Sequence, residues 1–135
     1  MLGEMIAEDQ GKITGIRVLP CEGQSPKVEV SFQATGSLMG VECTELGTYQ
    51  SMLTDAGVFR GNGQGIVMTK DGETIYWTGE GVGTPGGKGL AASWRGAIYY
   101  RTSSQRLAKL NSMAAVFEHE VDEAGNLQSK IYEWK

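Results

Sequence analysis

Glycines recur at every second position within segments that otherwise alternate like β-strands. The two densest runs are Gly61-Asn62-Gly63-Gln64-Gly65 and Gly79-Glu80-Gly81-Val82-Gly83. The chain holds 20 glycines in 135 residues, about twice the usual frequency of roughly 7%. Because glycine weakens a strand, its use inside one marks a bend, a bulge or a close approach of two backbones. A small, strongly curved sheet needs all three, so the pattern constrains architecture more than function.

Alternation of apolar and polar residues, the period of a half-buried strand, runs through most of the chain. Val28, Val30 and Phe32 show it clearly, and Asp71-Gly72 has the chemistry of a tight hairpin turn. Only Ser104 to Leu110 has helical spacing, with Ser103 or Ser104 as its cap. The predicted strands are 13–20, 27–33, 41–54, 58–69, 74–83, 90–102, 116–122 and 127–134.

About eight strands joined by short turns predict an all-β fold, either an antiparallel barrel or a sandwich. The glycines lie within the strands, where curvature is needed, rather than only in the turns, and this favours the barrel. A chain of this length fits one domain. We therefore predict a single antiparallel, roughly eight-stranded barrel over residues 1–135 with one short helical segment.

Charge and composition exclude several classes of function. The formal net charge is −4 and no basic patch is present, which argues against nucleic-acid binding. No segment has the roughly 20 apolar residues of a membrane span, and residues 1–9 lack the features of a signal peptide. We expect a cytoplasmic protein in which Cys21 and Cys43 are free thiols, with a disulfide between them as the less favoured alternative. Two cysteines and one histidine form no metal motif, so neither a metal nor a cofactor is predicted.

The motif Gly57-Val58-Phe59-x-Gly61-x-Gly63-x-Gly65, followed by a hairpin and a second strand of alternating glycines, resembles the allene oxide cyclase-like barrel. Similar elements return at residues 110–118, and the likeness extends from about Gly47 to Lys135. The resemblance implies an eight-stranded antiparallel barrel, shared by plant allene oxide cyclases, dirigent proteins and small bacterial families of unknown function. The bacterial families are the most similar to this chain.

Plant allene oxide cyclases bind an apolar oxidised fatty acid and guide its ring closure mostly by shape. None of their catalytic residues can be placed on this chain, so the resemblance does not carry their activity with it.

Strand alternation places Phe117, His119 and Val121 on one face of a strand, and the same logic turns Trp94, Ile98 and Tyr100 inward. An imidazole inside the barrel could act as a general base or orient a ligand, but a hydrogen-bonded core histidine is favoured. Rings beside glycines either fill a narrow barrel or surround a void that suits a flat ligand; the filled interior is favoured, and both remain open. The candidate pocket residues are Phe59, Trp77, Trp94, Tyr100, Phe117 and His119.

Glu118, Glu120 and Asp122 fall on the opposite face of the same strand, where solvated carboxylates are ordinary. Arg95 and Lys130 are expected to neutralise them across neighbouring strands.

Three functions are compatible with this sequence. The first is a small bacterial protein that holds an apolar small molecule in its barrel. The second is a cyclase or isomerase in which His119 or an inward carboxylate such as Glu80 assists proton transfer. The third is a module that associates with itself through its outer face, forming a homo-oligomer.

Overall fold

The computed structural model is a closed antiparallel barrel in which each strand pairs with the next and the last pairs with the first. It describes the backbone of residues 1–135 and every side chain except that of Glu22. The barrel predicted from the glycine pattern is therefore confirmed. Its strands are β1 (Leu2–Glu22), β2 (Ser25–Leu38), β3 (Val41–Leu53), β4 (Phe59–Thr69), β5 (Thr74–Pro85), β6 (Ala92–Thr102), β7 (Ala114–Val121) and β8 (Asn126–Trp134).

Strand β1 closes the barrel because it is long enough to pair along both of its edges. Ala7 lies opposite Leu38 of β2 on one side and Ile131 of β8 on the other. The sequence predicts a strand only from residue 13, so the segment 2–12 corrects that prediction. Register shifts between Leu2 and Ala7 break the alternation of its first part, and residues 8–12 contain no large apolar side chain, so neither part shows the pattern of a half-buried strand.

The hairpin between β4 and β5 follows the Asp-Gly prediction. Gly72 has a φ of 91°, in the left-handed region where glycine carries no steric penalty. Thr69 Oγ1 donates a hydrogen bond of 2.6 Å to the Asp71 carboxylate, and the Glu73 N–H donates to the same Thr69 oxygen at 2.9 Å. These contacts fix the turn.

The connection between β6 and β7 packs into one end of the barrel, which we call the plugged end. It contains a 3₁₀ helix over Ala108–Ser112, shorter and later than the helix predicted over Ser104 to Leu110. Ser104 acts before this helix, where its Oγ accepts a hydrogen bond of 3.2 Å from the Leu107 N–H. Leu107 and Leu110 are buried. Within the described residues, no helix has the length and apolar character needed to cross a lipid bilayer.

Asn111 fastens this connection to the end of β6. Its Oδ1 accepts from the Thr102 N–H at 2.8 Å, and its Nδ2 donates to the Thr102 carbonyl at 2.9 Å. The side-chain amide thus pairs with the Thr102 backbone as a neighbouring strand would, which satisfies groups that burial would otherwise leave costly.

The main hydrophobic core lies at the plugged end. Leu38, Ile75 and Leu110 are its most buried large side chains. The rest of this cluster comprises Ile6, Ala7, Val67, Ile98, Tyr100, Leu107, Met113, Ala115 and Ile131. A smaller cluster of Phe32, Ala34, Val121 and Leu127 lies further along the interior.

Candidate functional site

Beyond the plugged end, large rings lie directly on glycines of the inner wall. A Cβ added to Gly47 would come within 2.4 Å of the Phe32 ring, and one added to Gly65 within 2.3 Å of Trp77. Real Cβ atoms do not approach so closely, so a ring occupies the space that a side chain would otherwise fill. The pairs are Phe32 on Gly47, Trp77 on Gly65, Trp94 on Gly61 and Gly83, and Phe117 on Gly81 and Gly96.

Gly79 of β5 lies opposite Gly63 of β4. A Cβ added to Gly63 would come within 2.6 Å of the Thr48 carbonyl oxygen and of Tyr49 Cβ, whereas Gly79 has no contact as close as that. The nearest atoms to an added Cβ at Gly79 are the Ala97 carbonyl oxygen at 3.1 Å and side-chain carbons of Ile98 at 3.8 Å. A cavity of about 80 Å³ lies against Gly79 and opens to solvent over part of its surface. Its lining is mostly apolar, so both outcomes that the sequence leaves open occur: the interior is filled at one end and hollow beyond it.

Aromatic rings form the cavity wall around His119. The Phe32 ring lies with its centroid 5.6 Å from that of the imidazole, and the Tyr49 ring lies 6.0 Å away at an interplanar angle of 83°. Tyr49 also meets Trp94 edge-on at 5.6 Å. Separations in this range are those that favour aromatic pairs, so the wall is preformed.

Two carboxyl groups are buried beside these rings. Glu45, which is 8% exposed, accepts a hydrogen bond of 2.6 Å at Oε2 from Trp77 Nε1. Burial, the neighbouring charge of Asp9 and a hydrogen bond with Asp9 hold the pKa of Glu45 well above its ordinary value. Burial also raises the pKa of Asp9, against the opposing effect of hydrogen bonds with Glu45 and Ser129. The pKa values of both groups are thus raised, and the contact with Asp9 raises that of Glu45 while the contact with Glu45 lowers that of Asp9, so Glu45 is the member that holds its proton more strongly.

His119 is buried and interacts with Ser129 on the neighbouring strand β8. Its Nδ1 lies 2.6 Å from the Ser129 Oγ. Burial lowers the pKa of His119 to about 4, so the imidazole is neutral at physiological pH. The other ring nitrogen, Nε2, is buried and has no hydrogen-bond partner among the described residues, and the same is true of Asp9 Oδ1.

Three further titratable groups of the interior are held in their neutral forms. Burial raises the pKa of Tyr49 to about 12 and, with the nearby charges of Glu45 and Asp9, raises the pKa of Cys43 to about 11. Burial also holds the pKa of Tyr100 well above its ordinary value. The thiols of Cys21 and Cys43 are free.

Four of the six predicted pocket residues line the cavity and two do not. Trp77, Trp94, Phe117 and His119 border it. Phe59 stacks on Trp94 with a centroid distance of 5.9 Å and an angle of 17°, and Tyr100 belongs to the core of the plugged end. His119 has features of both roles considered from the sequence. Its Nδ1 is hydrogen-bonded, as in a core histidine, while the side chain lines the cavity and Nε2 has no partner among the described residues.

The expectation that Glu80 points inward is wrong. Gly79 and Gly81 occupy the inward positions of β5, so the exposed Glu80 side chain faces solvent. The acidic edge of β7 is also on the outside, where Arg95 lies 3.3 Å from Glu120 and 4.0 Å from Glu118.

Sequence reasoning missed Asp9, Glu45, Tyr49 and Ser129. Two of them carried a usable signal, since Glu45 and Tyr49 share the inward face of β3 with Cys43 and Gly47. Asp9 lies in the part of β1 that was not predicted as strand. Ser129 alternates with Leu127 and Ile131, but a serine between apolar residues is too common to stand out.

The chain matches no protein-family model and no curated protein sequence. It is similar in structure to a protein with unknown function from Clostridium acetobutylicum, at 14% identity and a TM-score of 0.84, over 98% of this chain and 97% of that one. It is also similar to a beta-barrel like protein from Acinetobacter baumannii, at 15% identity and a TM-score of 0.83, over 100% of this chain and 96% of that one.

An enzyme from Penicillium herquei shares the fold more distantly, at 17% identity and a TM-score of 0.70, over 96% of this chain and 92% of that one. None of these three proteins is named as an allene oxide cyclase. At such identities the likeness concerns the fold alone. This chain therefore has the eight-stranded barrel that is also found in small proteins of unknown function.

Proposed function

We propose that this protein binds a small, flat and mostly apolar molecule in the cavity of its barrel. The observation that carries the proposal is the partly open, mostly apolar cavity against Gly79. A Cβ added to Gly61, Gly65, Gly81 or Gly83 would meet a ring, whereas one added to Gly79 has the Ala97 carbonyl oxygen and side-chain carbons of Ile98 as its nearest atoms. A concave, largely apolar site with a few convergent polar groups is the usual form of a small-molecule site.

The dimensions limit the ligand to about one ring. The cavity of about 80 Å³ is smaller than the roughly 150 Å³ engineered apolar cavity that takes up benzene. Because the cavity is partly open to solvent, one edge of a ring or a substituent can extend toward the mouth. Tyr49, Phe32 and the rings around them offer the flat surfaces against which such a molecule packs.

The three tryptophans of the chain allow a direct test with ¹⁵N-labelled protein. Trp77 and Trp94 line the cavity, while Trp134 is 54% exposed on the last strand. Titration with one-ring molecules, beginning with toluene, should shift the indole N–H signals of Trp77 and Trp94 in a saturable way. The Trp134 signal is the internal control. Equal shifts at all three, or none at any, would contradict the proposal.

A second candidate function is acid–base isomerisation or cyclisation of the bound molecule. The buried Asp9–Glu45 pair favours it, since one carboxylic acid and one carboxylate lie together beside an apolar cavity. That pairing suits proton transfer near neutral pH. The resemblance to allene oxide cyclase-like barrels, which we infer from the spacing of the glycines, favours this second candidate. The fold that the chain shares with an enzyme from Penicillium herquei supports it as well.

This second function predicts exchange of hydrogens next to a carbonyl group. With cyclohexanone in D₂O, the protein should accelerate deuterium incorporation at these positions, as followed by NMR. Asp9→Asn should remove the acceleration while the indole signals show that the variant remains folded. Exchange at the rate of buffer alone would exclude this activity for a simple ketone and leave binding as the function.

A cytoplasmic location and self-association also remain proposals. The free thiols of Cys21 and Cys43 support the first. An outward row of exposed apolar side chains, with Leu46 opposite Ile66 and Ile66 opposite Tyr76, supports the second. Native mass spectrometry of the purified protein would report the subunit number together with any small molecule that co-purifies.

A further inference from the structure

The outer face of β3, β4 and β5 has an uncharged centre. Leu46 lies opposite Ile66, and Ile66 lies opposite Tyr76, so the three form one row of exposed side chains across the strands. The outward positions on either side of this row are also uncharged; they are Thr44, Met68, Thr74, Thr48, Gln64 and Thr78. Charged side chains, such as the Lys70–Glu42 ion pair, begin beyond them. An uncharged centre within a polar margin is typical of a protein–protein interface.

A shallow groove adjoins this outer face on the β3 side. It has a volume of about 580 Å³ and runs over the outside of β1, β2 and β3. Leu46 and Met68 line it where it meets the outer face, and Gln33 and Lys12 line it further out. These four side chains are exposed, so they form an open trough rather than an enclosed pocket. Its volume is within the roughly 300–1,000 Å³ of pockets that hold a drug-sized molecule, which leaves room for large side chains of a partner.

A ridge of large side chains adjoins the outer face on the β5 side. Tyr76 is 46% exposed and Tyr99, on β6, is 55% exposed. The guanidinium carbon of Arg101 lies 5.9 Å from the centroid of the Tyr76 ring, a cation–π contact that supports the ring from one side. Tyrosine and arginine are enriched in protein interfaces, and here they project from the surface together.

The groove and the ridge lie at matching distances from β4. Leu46 and Tyr76 are each directly opposite Ile66, on its two sides, and neighbouring strands are about 4.8 Å apart. Two copies of the outer face can therefore stack about a twofold axis that runs along β4 between them. This axis places Ile66 against its own copy and Tyr76 of each copy against Leu46 of the other. One strand further out, Arg101 meets the uncharged Gln33 of the second copy.

The size of the outer face agrees with a stable dimer. Its large apolar side chains are between 36% and 55% exposed; they are Leu46, Ile66, Met68, Tyr76 and Tyr99. With about 200 Å² for each such side chain when fully exposed, they present on the order of 400–500 Å². The uncharged threonine and glutamine side chains around them bring the outer face toward the roughly 800 Å² that each partner contributes to a standard interface.

We propose that a second copy of this chain covers the outer face, with the ridge of each copy in the groove of the other. This inference rests on the self-association proposed above and adds its surface and its symmetry. A second copy is favoured over an unrelated partner because one surface carries both halves of the fit, as a twofold interface requires. An unrelated partner would need only one of them.

The oligomeric state of the full chain, measured by sedimentation equilibrium over a range of concentrations, gives the first test. Wild type should dimerise, and Ile66→Glu should raise the dissociation constant about a hundredfold or more, because two carboxylates then face each other across the axis. Val18→Glu is the matched control, since Val18 is 79% exposed and lies on β1, outside the outer face; it should leave the constant unchanged. The indole N–H signals show whether both variants remain folded.

A charge swap tests the symmetry. Leu46→Glu and Tyr76→Lys should each weaken the dimer about tenfold or more. In the double variant each glutamate faces a lysine of the other copy, so dimerisation should recover most of what either single variant loses. Within one chain Ile66 separates the two positions. A double variant that dimerises no better than the single variants overturns the twofold arrangement along β4.

The outcomes separate this inference from the proposals before it. A wild-type protein that stays monomeric at the concentrations used for NMR overturns self-association and this inference together. A dimer that survives Ile66→Glu, or that Val18→Glu weakens equally, uses another surface, which overturns the inference and leaves self-association standing. Binding of one-ring molecules in the cavity is measured separately and is independent of either result.

Discussion

The two ends of this barrel are built from the same eight strands but are filled in different ways. At the plugged end, aliphatic side chains such as Leu38 and Ile75 project inward from opposite walls, and Leu110 enters from the connection after β6. Toward the other end, inward positions of β4 and β5 are glycines covered by aromatic rings. One end is a conventional aliphatic core, and the other is a wall of backbone and rings that surrounds a cavity.

The difference shows what glycine contributes to an interior of this size. An aliphatic side chain fills the space above its own strand position, whereas a ring from a neighbouring strand fills the space above a glycine. Each ring is rigid and covers one or two glycines, so a glycine that no ring covers leaves space above it. Gly79 is such a glycine, and the cavity lies against it. The polar atoms Asp9 Oδ1 and His119 Nε2 occur at this cavity and not at the plugged end.

The largest effect is expected from Leu110→Ala at the plugged end. Leu110 is 0% exposed, and its truncation should lower the free energy of unfolding by about 2–5 kcal/mol, from lost burial and the void left behind. Leu90→Ala is the control, because Leu90 is 40% exposed and should cost far less. Urea denaturation measures both. A similar loss in the two variants would show that the plug does not stabilise the barrel.

The second prediction concerns the ring-covered glycines. Gly47→Ala places a Cβ within 2.4 Å of the Phe32 ring, and the forced shift should cost about 1–3 kcal/mol of unfolding free energy. Gly15→Ala is the matched control, since nothing lies within 4 Å of its added Cβ, and it should change stability by less than about 1 kcal/mol. If both variants are equally stable, the rings do not occupy the side-chain space of the glycines.

The same contrast explains which features the sequence predicts. Alternating glycines predict the barrel, because a strongly curved sheet needs glycines within its strands whatever the exact bounds of those strands. Strand parity predicts that Trp94, Phe117 and His119 face inward. Parity does not tell how far along the barrel a residue lies, so Tyr100 was grouped with cavity residues although it packs at the plugged end. The sequence does not predict the Asp9–Glu45 pair, because Asp9 precedes residue 13, where the strand pattern begins, and only the pairing of β1 with β2 and of β2 with β3 brings it near Glu45.

The third prediction concerns the dependence of stability on pH that arises from Glu45, a buried carboxyl group beside the cavity. Burial raises the pKa of Glu45 well above its ordinary value of 4.5. The unfolded chain therefore loses this proton first as the pH rises, and the stability of the wild-type protein falls from about pH 4.5 up to the folded-state pKa. Glu45→Gln resembles the protonated acid in shape and does not titrate. The free energy of unfolding of Glu45→Gln minus that of wild type should therefore rise by up to about 1.4 kcal/mol per pH unit within that window.

His119 acts in the opposite direction and does not obscure this comparison. Its pKa is lowered from 6.5 to about 4, so its contribution to stability is lost as the pH falls from 6.5 through 4. Both proteins carry His119, and its effect cancels in their difference. Denaturation of both at a series of pH values from 4 to 8 gives the result. A difference that stays constant with pH would mean that Glu45 is ionised in the folded protein.

The smallest change in stability is expected from Gly79→Ala, which alters the cavity most directly. The added methyl group meets only the Ala97 carbonyl oxygen at 3.1 Å, with Ile98 carbons at 3.8 Å, so a shift of a few tenths of an ångström accommodates it. We expect a loss below about 1 kcal/mol of unfolding free energy, because no ring has to move.

The methyl group of Gly79→Ala projects into a cavity of about 80 Å³, and the affinity for one-ring ligands should fall about tenfold. Gly15→Ala again supplies the control, now measured by the shifts of the Trp77 and Trp94 indole signals on titration. Unchanged affinity in Gly79→Ala would place the ligand away from Gly79, and the contrast between the two ends would then concern packing alone.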